Sequence, residues 1–461
     1  MARWIPSEPG EEEGLLRELG ISSAEELFAD VPRQVRIGRM GVGAARDESE
    51  VVALVDKILA HNRTYSKVPT FLGGRIPIRY LPAAVDAVLL RSEFYTSYTP
   101  YQPEASQGML QSLFEFQSLW VELTGLDAAN ASMYDGSTAA GEALLLAHRV
   151  HPGKRFLVPA SLPWEEKSVL ANYAVGPGLR IEEVAFDART GGLDLDAVRT
   201  AVRSGDVCGV LADLPNGFGV VDAGLPELRS TIGDVPLVVS ADPLALSVLE
   251  PPGSWGADIV VGEGQGFGAP PSFGGPLLGL FACRREYLRL APGRIVGATK
   301  DSAGRRAFTL TLQTREQHIR RSRATSNICT NQSLLALAFT TYASLVGPRG
   351  LAALAGRLNE RARGLASALG AIPGLRAPAF EAPYLWEFCV ELPGGNAGKF
   401  LDAVRRRRVI GGSLLTDPRE PSKATGRELF LTGATELTDD KAIAKYARAA
   451  RASIGSVGAG S

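Results

Sequence analysis

Short β-rich segments alternate with helical or loop segments between about residues 126 and 261 of this 461-residue chain. The segments are rich in valine, isoleucine and leucine, and they lie at residues 156–158, 181–186, 207–212, 236–240 and 258–261. Strands that alternate with helices predict a mostly parallel sheet covered on both faces. We therefore expect an α/β fold that binds its ligands at the carboxyl ends of the strands.

The composition is that of an ordinary globular protein, with 45% hydrophobic and 21% charged residues. A formal net charge of -1 predicts neither a nucleic acid nor a membrane as partner. The apolar run at residues 334–346 is too short and too mixed to span a bilayer, and the N-terminus does not read as a signal peptide. The 4 cysteines lie far apart without a CxxC pair, so we expect no disulfide, no metal site and a reducing, cytoplasmic location.

The length of the chain predicts more than one domain. We expect a helical N-terminal arm over residues 1–90, a large domain over 91–330 and a small α+β domain over 331–461. Residues 331–346 predict a buried helix, and the leucines at 351, 354, 358, 365 and 369 predict an amphipathic helix directly after it.

A loop at residues 94–104 is dense in tyrosine, hydroxyl groups and proline, and it leads into a helix that extends to Gly125. Such a loop can present hydroxyl groups to a ligand or a partner. The alternative is that its aromatic side chains only pack against the rest of the protein. Composition does not decide between the two.

Three further stretches have residue types that can bind anions. Asp135, Gly136, Ser137 and Thr138 begin a predicted helix, where free N–H groups and hydroxyls favour an anion, although an ordinary N-cap has the same pattern. Residues 262–276 form a glycine-rich loop that allows close approach of the backbone. Residues 315–331 are basic and then hydroxylic, which suits a carboxylate or phosphate but equally a solvated surface.

Four segments together resemble the glycine decarboxylase (P-protein) family of the glycine cleavage system, and within it the α subunits that pair with a separate β subunit. The resemblance runs from about residue 3 to residue 450. Its most specific parts are RSEFYTSYTPYQPE at 91–104, NASMYDG at 130–136, PGRIVG at 292–297 and QTREQHIRR at 313–321. It implies the fold-type-I architecture of enzymes that use pyridoxal phosphate (PLP), with a seven-stranded, mainly parallel sheet and a small C-terminal domain.

The resemblance also locates a missing residue. In the β half of the family, the lysine that holds PLP precedes a glycine-rich turn, and Gln265 stands at that position here. Glutamine cannot form an imine, so we expect no covalently bound cofactor in this chain. Asp242 resembles the aspartate that pairs with the pyridine nitrogen, and with Gly136, Ser137 and Thr138 it would outline a degenerate pocket. Arg79 replaces a histidine that is usual in the family.

The resemblance implies a glycine dehydrogenase (aminomethyl-transferring, decarboxylating) that is active as an α2β2 complex. The β subunit would supply PLP, and a lipoylated H-protein would accept the aminomethyl group. The wall that this chain adds to the partner's active site is expected to contain Tyr95, Thr96, Tyr98, Thr99, Tyr101 and Gln102. Contacts with the cofactor phosphate or the interface are expected from Arg320, Arg321, Thr325, Ser326 and Asn327. The alternatives are a structural partner without catalytic contacts and a stand-alone PLP enzyme with an unusual lysine.

Overall fold

The computed structural model describes residues 10–38, 41–65, 67–95, 98–415 and 426–454. Contacts within the chain divide it between residues 63 and 64 into two units. The first unit contains helices α1 (Glu11–Leu19) and α2 (Glu48–Leu59). Asp47 caps α2 by accepting a hydrogen bond from the Glu50 N–H at 2.9 Å. The expected arm over residues 1–90 and the boundary between residues 330 and 331 stay predictions.

The second unit is built on a seven-stranded sheet. Its strands are β1 (Ala128–Ala129), β2 (Arg155–Pro159), β3 (Arg180–Val184), β4 (Val207–Leu214), β5 (Leu237–Ala241), β6 (Ile259–Glu263) and β7 (Gly279–Cys283). They lie in the order β1-β7-β6-β5-β4-β2-β3. The neighbours from β6 to β3 are parallel, and β7 is antiparallel to both β6 and β1. The predicted, mostly parallel sheet is confirmed.

Helices cover both faces of this sheet, because alternate side chains of each strand enter different cores. Val239 belongs to the core that contains Trp120, whereas its neighbour Val238 belongs to the core that contains Leu144. The helices of this region are α3 (Ala83–Leu89), α4 (Ser92–Tyr95), α5 (Gln107–Thr124), α6 (Gly136–Val150), α7 (Trp164–Val175), α8 (Leu195–Arg203) and α9 (Leu228–Ile232).

A two-stranded hairpin, β8 (Ile295–Lys300) with β9 (Arg306–Thr311), packs on α5 through two buried or half-buried glutamines. The Gln117 side chain bonds to both the N–H and the carbonyl group of Val296, each at 2.9 Å. Gln107 bonds in the same way to Phe308 at 2.8 and 2.9 Å. The glutamines satisfy backbone groups of the hairpin and so fix its position, together with the loop before it.

The C-terminal region contains α10 (Gln317–Arg320), α11 (Ser333–Gly370), α12 (Ala397–Arg406) and α13 (Asp440–Ile454), with strands β10 (Glu387–Glu391), β11 (Ser413–Leu414) and β12 (Leu429–Gly433). These strands form an antiparallel sheet in the order β10-β12-β11. Gly347, with a φ of 68°, interrupts α11, and Pro348 follows it. The two successive helices predicted here are confirmed. No helix in the described ranges is long and apolar enough to cross a membrane.

Candidate functional site

A small pocket lies at the carboxyl edge of the large sheet, at the place where the sequence predicts ligand binding. Pro215 and Asn216 follow β4, Asp242 follows β5, Glu263 ends β6, and all four line the pocket. The cavity has a volume of about 50 Å³. No lysine is among the described residues that line it.

Gln265 lies in the turn after β6 and is 0% exposed. Its side-chain amide donates a hydrogen bond to the carbonyl oxygen of Ala269, and its backbone N–H donates to Oε1 of Glu263 at 2.9 Å. A buried amide in this position offers no amine to an aldehyde. The correspondence of Gln265 with the family's cofactor lysine stays a prediction.

The start of α6, predicted as either an anion site or an N-cap, is bonded to carboxylates of the chain itself. Asp135 accepts hydrogen bonds from the Thr138 N–H at 2.7 Å and from the Thr138 hydroxyl at 2.8 Å. Glu263 Oε2 accepts from the Gly136 N–H at 2.9 Å. Ser137 is half-buried in the same turn. Of the four residues expected to outline a degenerate pocket, Asp242 lines the cavity and the other three do not.

Glu263 connects three elements through hydrogen bonds from backbone N–H groups. Besides the bonds from Gly136 and Gln265, it accepts one from Leu278 at 2.9 Å. Burial raises the pKa of Glu263 to about 7, although the three N–H groups oppose this rise. The side chain thus holds together the start of α6, the turn after β6 and the approach to β7.

An ion-pair network of half-buried Arg75 with two buried carboxylates adjoins the pocket. Arg75 donates to Asp213 Oδ1 at 2.5 Å and to Glu166 Oε2 at 3.1 Å. Burial would lower the pKa of Arg75, but the charges of Asp213, Glu166 and Glu387 outweigh it and raise that pKa. Burial raises the pKa of Asp213 to about 7 against the opposing charge of Arg75. Sequence reasoning missed this network because its members come from distant segments without a shared spacing.

Asp242 and Arg79, two of the residues compared with the family in the sequence analysis, each make a side-chain contact near this network. Asp242 Oδ1 accepts a hydrogen bond from the Leu244 N–H at 2.8 Å. Arg79 lies 3.5 Å from Glu436 and stacks over Trp386 at 5.4 Å from the ring centroid. Arg79 therefore ties the loop at residues 71–80 to the C-terminal region. Among the described residues, no group of three or more His, Cys, Asp and Glu is placed to hold a metal ion.

The tyrosine-rich loop and the basic segment meet at one buried arginine, Arg294, directly before β8. Arg294 donates a hydrogen bond to the Tyr101 hydroxyl at 2.7 Å and stacks over the ring of Tyr101 at 4.9 Å. It also reaches Thr99 and Asn331, each at 3.4 Å. Its Nε lies 3.7 Å from Oε2 of Glu316, and both side chains are buried. Thr99, Tyr101, Arg294, Glu316 and Asn331 are called the Arg294 cluster below.

The neighbouring Arg315 fixes the basic segment to the loop directly before β8, which contains Arg294. It donates hydrogen bonds to the carbonyl oxygens of Ala291 and Gly293, the latter at 3.0 Å. His318 lies 3.5 Å from Glu316 and 6.2 Å, ring to ring, from Tyr101. Two segments predicted separately are therefore parts of one surface. The arginine that joins them was not predicted as a site residue, although it lies in one of the four segments that carry the family resemblance.

The other predicted site residues differ in their exposure. Tyr98 is 82% exposed, and Tyr101 is 47% exposed beside its bond to Arg294. The exposed residues also include Gln102, Arg320, Arg321 and Asn327, whereas Thr325 is half-buried. Arg320 donates to the carbonyl oxygen of Thr314 at 3.1 Å. Thr96 and the side chain of Tyr95 lie outside the described part of the chain.

Ser326 faces inward and contacts α6. Its hydroxyl accepts a hydrogen bond from the Ile328 N–H at 3.0 Å and interacts with the carboxylate of Glu142. Glu142 is 2% exposed, and its Oε2 has no hydrogen-bond partner among the described residues. Burial raises the pKa of Glu142 from its ordinary value of 4.5 to about 7. This segment is therefore attached to α6 next to a carboxylate that titrates near neutral pH.

Replacing Glu142 with glutamine is expected to change how stability depends on pH. The raised pKa means that ionised Glu142 destabilises the fold, so stability is lost as pH rises from about 4.5 to 7. The difference in unfolding free energy between Glu142→Gln and the wild type should shift in favour of the variant by about 3 kcal/mol from pH 4.5 to pH 8. Urea unfolding at both pH values measures it, with the exposed Glu165→Gln as the control. A constant difference between Glu142→Gln and wild type would contradict the expectation.

Comparison with known proteins places the chain in a family. Residues 2–407 match the family model described as glycine cleavage system P-protein. A protein of Desulfitobacterium hafniense named probable glycine dehydrogenase (decarboxylating) subunit 1 is 43% identical over 89% of this chain and 91% of its own length. A protein of Thermoplasma volcanium with the same name is 41% identical over 93% of this chain and 96% of its own.

Solved structures give the same result. A crystal structure of glycine decarboxylase (P-protein) of the glycine cleavage system, in inhibitor-bound form, matches with a TM-score of 0.86 and 36% identity, over 98% of this chain and all of the other (100%). A cysteine desulfurase from Thermococcus onnurineus, at a TM-score of 0.61 and 15% identity, shares the fold alone. The sheet thus has the fold-type-I architecture of PLP-dependent enzymes. By both the family match and these identities, the chain belongs to the glycine cleavage system P-protein family.

Proposed function

We propose that this chain is the non-PLP α subunit of a two-subunit glycine decarboxylase. The observation that carries the proposal is Gln265, which is buried in the turn after β6 beside a pocket whose described lining has no lysine. A P-protein chain of this kind needs a second chain to hold PLP, and we assign the cofactor and its lysine to a β subunit. The relatives' common name, subunit 1, agrees with a second subunit.

The reaction assigned to the complex releases the carboxylate of glycine as CO2. The remaining aminomethyl group passes to one sulfur of the lipoyl disulfide on H-protein, and the other sulfur becomes a thiol. PLP on the β subunit supplies the electron sink for the decarboxylation. The residues of this chain orient groups and exclude water at the shared site. An α2β2 assembly in the cytoplasm is part of the proposal.

The wall that this chain contributes is proposed to be the Arg294 cluster with the exposed residues next to it. Tyr98 and Tyr101 are exposed, and so are Arg320 and His318, whose ring lies 6.2 Å from that of Tyr101. Aromatic and arginine side chains are enriched where protein surfaces bury against a partner. The bond of Tyr101 to buried Arg294 gives this part of the wall a defined shape before the partner binds.

Mixing the purified chain with a β subunit tests the proposal directly. Glycine-dependent CO2 release with lipoylated H-protein should be absent from this chain alone and appear on mixing, with its maximum at equal amounts of the two chains. Borohydride reduction should place the pyridoxyl group on the β subunit. A pyridoxyl-lysine in this chain, with turnover in the absence of β subunit, would instead establish a stand-alone enzyme.

The same mixture separates a catalytic wall from a purely stabilising partner. If Tyr98→Ala leaves both assembly and turnover per assembled complex unchanged, Tyr98 is not part of the wall. If variants throughout the Arg294 cluster weaken assembly but leave turnover per complex unchanged, the chain only stabilises its partner. A loss of turnover in intact complexes supports the catalytic wall.

A further inference from the structure

The start of α6 and the turn after β6 form one corner at the carboxyl edge of the sheet. α6 is 15 residues long, and the N-terminus of such a helix attracts negative charge. Gly136 touches β6 so closely that an added Cβ would lie 3.1 Å from Cβ of Glu263. Gln265 lies two residues after Glu263, in the turn that follows β6. A phosphate at the start of α6 would therefore adjoin the position of the missing lysine.

Glu263 already occupies this corner. Its Oε2 accepts the Gly136 N–H, and its Oε1 accepts the N–H groups of Gln265 and Leu278, each at 2.9 Å. The N–H and hydroxyl of Thr138 are bonded to Asp135. Three donors that a phosphate group could use at this helix end, the N–H of Gly136 and the N–H and hydroxyl of Thr138, are thus bonded to the chain's own carboxylates.

Charge and space act in the same direction. Asp135 and Glu263 are close enough that the charge of Asp135 contributes to the raised pKa of Glu263. A phosphate dianion at this point would face both carboxylates at short range in a buried site. Space at the helix end is limited as well, because Glu263 packs so closely on Gly136 that an added Cβ there would lie 3.1 Å from the Glu263 Cβ. The residues of this pocket therefore do not fit PLP.

We propose that Glu263 is a built-in substitute for a cofactor phosphate, so that this chain excludes PLP at the phosphate end as well as at the missing lysine. Gln265 and Glu263 act as a pair. Restoring a lysine at position 265 leaves the corner filled, and only shortening of the Glu263 side chain opens it. The inference goes beyond the proposed function, because it concerns this chain alone and would hold whatever its partner is.

Labelling with PLP tests the pair. The variants Gln265→Lys and Gln265→Lys/Glu263→Ser are incubated with PLP, reduced with borohydride and mapped by peptide mass. We expect a pyridoxyl group at position 265 only in the double variant, with at least tenfold more label there than in Gln265→Lys. The 9 native lysines supply the background level. Equal labelling at position 265 in the two variants, whether high or absent, overturns the proposal.

Binding of inorganic phosphate gives a second readout that needs no lysine. Phosphate should raise the melting temperature of Glu263→Ser and leave the wild type and the isosteric Glu263→Gln unchanged relative to chloride. Glutamine keeps the corner filled, so it controls for the loss of charge alone. If Glu263→Ser unfolds, its refolding on addition of phosphate supports the proposal. A Glu263→Ser protein that does not respond to phosphate, folded or unfolded, overturns it.

Discussion

Replacing Arg75 with methionine is expected to lower the unfolding free energy by up to about 3–5 kcal/mol, because it leaves two buried carboxylates uncompensated, although Arg75 itself is 26% exposed. Arg75 contacts Asp213 at 2.5 Å and Glu166 at 3.1 Å, and their side chains are only 0% and 5% exposed. Methionine fills a similar volume without charge. Urea unfolding of the isolated chain at pH 8 measures the loss.

The loss in Arg75→Met should depend on pH in a defined direction. The pKa of Asp213 is already raised to about 7 and rises further without the arginine charge. Below that value Asp213 is protonated in the fold and no longer repels Glu166, so the penalty is smaller at pH 5 than at pH 8. A penalty that is equal at both pH values would contradict the buried network.

An exposed pair provides the matched control for Arg75→Met. Arg189 and Glu381 lie 3.1 Å apart, but their side chains are 68% and 74% exposed. Arg189→Met removes the same chemical groups and should cost no more than about 1 kcal/mol, because solvent screens the pair. If Arg75→Met costs as little as Arg189→Met at pH 8, the carboxylates at the pocket do not depend on Arg75.

The sheet was predictable from the sequence because its signal is local. β4 has a continuous apolar run, and a strand buried on both faces requires such a run wherever the rest of the chain lies. The helical spacing before Gly125 gave α5 in the same way. A kink after residue 346 could also be read locally, because Gly347 and Pro348 disfavour a continuous helix.

The interior of the pocket was not predictable because its contacts join distant residues. The bond from Gly136 to Glu263 spans 127 positions, and that from Arg75 to Asp213 spans 138. The start of α6 has the same local sequence whether an external anion or Glu263 binds it. Only the long-range contact between Gly136 and Glu263 distinguishes these two cases. That contact also determines whether the start of α6 can accept a phosphate.

The second large effect is expected at Arg294, where methionine should lower glycine turnover per assembled complex by about tenfold to a hundredfold. The arginine orients Tyr101 through a 2.7 Å hydrogen bond and stacking, and misplacing a group by about 1 Å at a shared site has this size of effect. In the isolated chain, Arg294→Met also removes one of the two cations that act on buried Glu316, the other being Arg315, and should cost at most about 3–5 kcal/mol.

Two conservative variants separate the positioning role of Arg294 from its role in stability. Arg294→Lys keeps a charge near Glu316 and should recover part of the stability, but one ammonium cannot reproduce the contacts of the guanidinium with Tyr101, Thr99 and Asn331. Tyr101→Phe removes only the hydroxyl and should cost about 1 kcal/mol of stability. If the cluster orients the wall, both variants lower kcat in intact complexes more than their stability losses explain. Normal kcat in both would mean that Arg294 only stabilises the fold.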